Sequence, residues 1–103
     1  MFDINFSSPE EICLALCQRL RAQRLAQSLS QVALANLAGV STGTVRNLET
    51  KGQASLDSLV HIIIALGLTD DLSTLFVLKL NSIARMEKAE RAKRQRAPRR
   101  RTA

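Results

Sequence analysis

The sequence predicts an all-α fold, and three observations carry that reading. Apolar residues recur at helical spacing from Ile12 to Leu75 with no convincing strand pattern. Ser8, Ser30, Ser41 and Ser55 each stand where a helix would begin. Gly39, Gly52 and Gly67 each stand where one would stop.

The elements follow in order. Ser8 caps a first helix over about Pro9–Ala26, with Pro9 in its opening turn and Glu10 and Glu11 facing the positive end of the helix dipole. Ile12, Leu16 and Leu20, together with Cys13 and Cys17, trace its apolar face. Ser30 opens a second helix over Gln31–Ala38, and Ser41 a third from Thr42 to about Glu49. A fourth begins after Ser55, with Leu56, Leu59, Ile63 and Leu66 as its core face and Val60 and Ile64 on another. Apolar residues on two faces of one helix imply a covering surface, either a later segment or a second subunit. Leu72, Leu75 and Phe76 suit a short fifth helix, whereas residues 77–81 read equally well as strand or helix. Asn81-Ser82 then looks like a fresh cap for a helix through Ile83, Met86 and Ala89.

Composition narrows the function classes. The 103 residues allow one small domain and a tail. Nine of the fifteen Arg/Lys but only two of the nine Asp/Glu lie from Arg85 onward, so the +6 charge is carried by a C-terminal appendage on a nearly neutral domain. Appendages of this kind meet polyanions. The N-terminal sequence lacks a basic-then-apolar secretion pattern. The longest apolar run, Leu59–Leu66, is interrupted by His61 and is far short of the ~20 residues that cross a bilayer. Two cysteines make neither a disulfide framework nor a four-ligand zinc site. The expectation is a cytoplasmic, nucleoid-associated protein with no membrane contact and no metal or other cofactor. No Ser/His/Asp set, carboxylate pair or Gly-rich phosphate loop appears, so no catalytic residue is assigned and the protein is read as a non-enzyme. Cys13 and Cys17 are read as small apolar packing residues, and His61 as partly buried or at an interface.

Residues 29–49 are the informative stretch. Two short helices joined by about three residues must cross steeply. Ala35 is small where they touch, Gly39 tolerates a positive φ in the turn, and Val40 plugs the gap beneath it. Leu34, Val45 and Leu48 seal both helices onto the domain. Stepping ~100° per residue from Thr42 puts Val45 and Leu48 on one side and leaves Thr42, Gly43, Arg46 and Asn47 facing outward. Arg46 is suited to a guanine edge or a phosphate, and Asn47 to adenine.

The stretch from about Leu20 to Leu68 resembles the Cro-like (XRE-type) helix-turn-helix repressor family. The matching elements are Leu20-Arg21, Arg24, Leu29-Ser30-Gln31, Leu34-Ala35, Ala38-Gly39-Val40-Ser41, Thr44-Val45, Leu48-Glu49, and Ser55-Leu56 through Ala65-Leu66-Gly67. The resemblance implies a five-helix lambda-repressor-like domain over residues 9–76. A dimerisation segment over 77–92, extended or helical, and a disordered Arg-rich tail over 93–103 would follow it. It implies base readout by the helix 42–49, with Gln31 packing against Thr42 and reaching the DNA backbone, and Arg24 and Glu49 forming a structural pair between the first and third helices. Gly43 departs from the family, which often has a base-contacting side chain there; readout is then sparser, resting on Arg46 and Asn47. Ser41, Thr44 and Lys51 join Gln31 as phosphate contacts, with Arg99, Arg100 and Arg101 from the tail. Each phosphate neutralised adds about −0.9 to the slope of log affinity against log salt, so ~3 tail contacts amount to about 2.7.

The leading functional reading is a sequence-specific DNA-binding regulator, a homodimeric repressor on double-stranded DNA. Val60, Ile64, Phe76, Leu78 and Leu80 form its dimer interface. The alternative is the antitoxin of a toxin–antitoxin pair, binding a HipA-like kinase and repressing its own operon. RNA binding through the tail is a weaker third option, because few aromatic residues are available for stacking.

Overall fold

A computed structural model describes residues 3–78 and 83–96. The chain divides into two units, residues 1–73 and 74–103. In the first unit, a 3-10 turn at Ile4–Phe6 precedes α1 (Pro9–Ala26), α2 (Gln31–Ala38), α3 (Thr42–Lys51), α4 (Leu56–Ala65) and α5 (Thr69–Ser73). The second holds α6 (Ile83–Arg96). All the regular structure among the described residues is helical, and the first unit has the lambda-repressor-like arrangement: α3 packs on α1 and α2, and α2 on α4.

Side-chain caps set the starts of α1 to α4. The Ser8 hydroxyl accepts from the Glu11 N–H at 3.2 Å while the Glu11 carboxylate accepts from the Ser8 N–H at 2.9 Å, closing a capping box. The Ser8 main-chain N–H, and after it the Ser8 hydroxyl, hold the Glu11 carboxyl below the usual carboxylate range. Ser30, Ser41 and Ser55 accept in the same way from Ala33, Thr44 and Ser58. Gly39 and Gly52 end α2 and α3 in the left-handed region, at φ 72° and 65°. α1 ends differently. Ser28 takes φ 58° just past its C-cap, and the Leu29 N–H reaches back to the Arg24 carbonyl. The sequence offers no glycine there to mark the turn.

The core is small. Cys17, Leu34, Ala35, Ala38, Val45, Leu48, Ile62 and Leu66 are buried, with Leu20, Leu29, Val40, Leu59, Ala65 and Leu68 packed around them. Two sequence expectations are corrected here. On α4 the buried residue is Ile62, with Leu66 just after the helix, whereas Leu56 is 76% exposed. Leu56 lies in the first turn, ahead of the part of α4 that meets α2, so the inward stripe runs Leu59–Ile62–Leu66. On α1 the expected apolar face is fully covered only from Cys17 onward: Cys17 is buried and Leu20 packs on the core, whereas Ile12 is half-buried and Cys13 and Leu16 are exposed. His61, read as partly buried or at an interface, is exposed and approaches Asp57 one turn earlier, Nδ1 to Oδ2 3.4 Å.

In the second unit, Val77 and Leu78 have no regular structure, and residues 79–81 of the strand-or-helix segment lie outside the described residues. α6 runs to Arg96, past Lys93 where the tail was expected to begin. Lys, Arg and Gln are good helix formers, and cations near a C-terminus are favoured by the dipole, so a helix can continue there without an apolar face.

Candidate nucleic-acid interface

The third helix is positioned from both sides. Val45 and Leu48 are fully buried against the core, and Glu49 is 3% exposed. A carboxylate so nearly enclosed needs partners, and three polar side chains supply them. Arg24 Nε donates to Glu49 Oε2 at 2.7 Å and its Nη2 to Oε1 at 2.9 Å, a two-bond fork. Gln31 Nε2 donates to Oε1 at 3.1 Å, and Arg21 Nε lies 3.8 Å from it. From α1, Gln18 Nε2 donates to the Glu49 main-chain carbonyl at 2.6 Å. Arg24 is buried too, and its remaining Nη1 donates to the Leu29 carbonyl at 2.7 Å. Among the described residues, no buried side-chain nitrogen or oxygen lacks a partner.

Electrostatics follow from this geometry. Burial pushes the Glu49 carboxyl up, but the hydrogen bonds from Arg24 and Gln31 and the charges of Arg24 and Arg21 together outweigh it, so Glu49 titrates below the usual carboxylate range. The hydrogen bond to Glu49 raises the Arg24 guanidinium further, against the opposing effect of burial. The pair stays ionised and ties the C-terminal half of α3 to α1.

With Val45, Leu48 and Glu49 held inward, Arg46, Asn47 and Thr50 project from the opposite side and are exposed. Thr42, Gly43 and Thr44 are half-buried at the start of the helix. Ser41 is exposed, and its hydroxyl both caps Thr44 and lies 2.8 Å from the Thr44 hydroxyl. Lys51 is exposed in the last turn. The hydrogen bond found for Gln31 runs to Glu49 rather than outward; its amide ties the start of α2 to α3. Arg99, Arg100 and Arg101 lie outside the described residues, as does Leu80.

Sequence reasoning missed Gln18 and Arg21 as members of the network around Glu49. A signal was available: Gln18, Arg21 and Arg24 are spaced by three on α1 and share a face. Thr50 was missed as a neighbour of Arg46 on the outward side; its hydroxyl donates to the Arg46 carbonyl at 2.8 Å.

A short capped helix seated on two others, with its polar side open to solvent, defines a helix-turn-helix DNA-binding domain. The sequence agrees: the family model described as Helix-turn-helix matches residues 20–73, more than half of the chain. The chain belongs to this family, of the XRE type, and is a DNA-binding transcriptional regulator. Such regulators are typically non-enzymatic. A search of curated proteins finds no match. No helix among the described residues is long and apolar enough to cross a membrane.

Proposed function

We propose that the protein is a homodimeric, sequence-specific repressor acting in the cytoplasm on nucleoid DNA. α3 enters the major groove, with Arg46 and Asn47 reading base edges and Thr42 and Gly43 lying against them. Ser41, Thr44 and Lys51 flank the groove at the phosphates, with Gln31 offering the free N–H groups at the start of α2, and the basic tail joins them. The observation that carries this reading is the exposure of Arg46 and Asn47 on a helix whose other side is locked by Val45, Leu48 and the Arg24–Glu49 pair. A fixed helix is what bidentate base contacts need, because they tolerate little angular error.

The dimer reading rests on uncovered apolar residues. In the first unit Ile64 is 52% exposed and Val60 is half-buried. In the second, Leu75, Phe76, Val77 and Leu78 are all exposed, Phe76 at 95%. Four consecutive apolar residues left in water favour a covering partner. A second copy supplies one and also doubles the groove contacts. The antitoxin reading draws on the same segment, with a kinase-like toxin as the covering partner.

Selection of duplexes from a random pool by the full-length chain tests the proposal. The expected product is a motif of two related half-sites with centres about 34 Å apart. A pool with no enriched motif overturns sequence-specific readout; a single half-site overturns the dimer. Co-purification of a toxin encoded beside the gene would shift the assignment to the antitoxin.

A further inference from the structure

The register of α6 sorts its charges onto two sides. Advancing about 100° per residue, Glu90, Arg94, Glu87 and Arg91 fall within one arc of roughly 100°. There each acid stands four residues before an arginine, Glu87 before Arg91 and Glu90 before Arg94, the favourable order for pairing along a helix. That side is neutral. The opposite side carries Lys88 and Lys93 with Ala89 and Ala92 between them. No acidic residue of α6 falls there. Lys88 and Lys93 are exposed.

We propose that this acid-free side of α6 is a DNA-backbone contact surface, so that α6 binds nucleic acid rather than serving only as a dimerisation segment. The inference rests on the DNA-binding reading above and extends it to a second element. Charge complementarity selects the occupant. The two lysines stand about 7.5 Å apart along the axis, and a duplex offers a phosphate on each strand every ~3.4 Å. The alanines between them have no long side chains to hold the helix off a strand. The two acids sit on the far side, where they do not oppose the phosphates.

The test uses the full-length chain and a random-sequence duplex of about 30 base pairs, titrated by fluorescence anisotropy across a salt series. Lys88→Gln/Lys93→Gln should flatten the slope of log affinity against log salt by about 1.8, at 0.9 per contact. Arg91→Gln/Arg94→Gln removes equal charge from the side that carries the acids and should change the slope by less than half as much. Circular dichroism of both variants checks that helix content is kept. A wild-type slope in Lys88→Gln/Lys93→Gln, or equal flattening by both double variants, overturns the assignment while leaving groove readout by α3 standing; an acidic protein surface would then be the partner of this side. A wild-type protein that binds no duplex at all refutes both readings together.

Discussion

Gly52 sits so close to α1 that a methyl group on its Cα would come within 2.9 Å of both the main-chain nitrogen and the Cα of Leu14. The residue that ends α3 is thus also the point where α3 meets the main chain of α1. Its φ of 65° requires glycine for one reason, and the approach to Leu14 for another. Gly39 shares the first reason only, since a Cβ there meets nothing within 4 Å.

The two glycines therefore predict different losses. Gly39→Ala should cost about 1 kcal/mol, the strain of a left-handed alanine. Gly52→Ala adds overpacking against main-chain atoms that cannot swing aside and should cost about 3 kcal/mol. Urea denaturation of both variants measures the difference; equal losses would mean that the Gly52–Leu14 approach relaxes freely.

Glu49 gives a pH prediction. Its carboxyl titrates lower in the folded chain than in the unfolded one, where about 4.3 is ordinary. The unfolded state therefore binds the extra proton first as pH falls. The stabilisation from Glu49 is present above the unfolded value and is lost as pH drops through the folded one. Glu49→Gln should flatten the decline of stability below pH ~4.3. At neutral pH, Glu49→Ala leaves Arg24 buried without its counter-charge and should cost about 3 kcal/mol. Thermal denaturation over pH 3–7 follows both effects, and an unchanged acid limb in Glu49→Gln would contradict the assignment.

Gly43 stands within α3, where a Cβ would meet only the Ser41 hydroxyl at 3.8 Å, an ordinary contact. Gly43→Ala should raise stability by about 1 kcal/mol through helix propensity alone. Chemical denaturation reads this directly; a loss of stability would show that the start of α3 depends on glycine.

Ser28 is the converse case, an exposed serine in the left-handed region at the end of α1. Ser28→Gly should stabilise by about 0.5–1 kcal/mol, because the strain removed exceeds the entropy that glycine adds. A shift of the denaturation midpoint to lower urea would contradict it.

Much of the fold was legible because short-range chemistry decides it. The four serine caps fixed where α1 to α4 begin, and Gly39 and Gly52 fixed where α2 and α3 end. The inward pair Val45 and Leu48 followed from helix period. What was not legible depended on where one helix stops touching another. Leu56 and Leu16 match an apolar stripe as well as Ile62 and Cys17 do, yet only the latter two lie opposite a packed neighbour. The close approach of Gly52 to Leu14 spans 38 positions, and no local pattern announces it. The Arg24–Glu49 pair came from family likeness; Gln18 and Arg21 share a face of α1 with Arg24, but their convergence on Glu49, Gln18 at its main-chain carbonyl and Arg21 at its carboxylate, lies 28 or more positions away along the chain.

The central claim is that α3 reads bases, and Arg46→Ala tests it most directly. The quantity to measure is the ratio of affinity for a selected duplex to affinity for random duplex, at fixed salt, in wild type and variant. The account predicts that this ratio falls by about 5- to 150-fold, equivalent to 1–3 kcal/mol, with preference relaxed at one or two base pairs. An equal loss on both duplexes, leaving the ratio unchanged, would place Arg46 on phosphate and contradict base readout at this position.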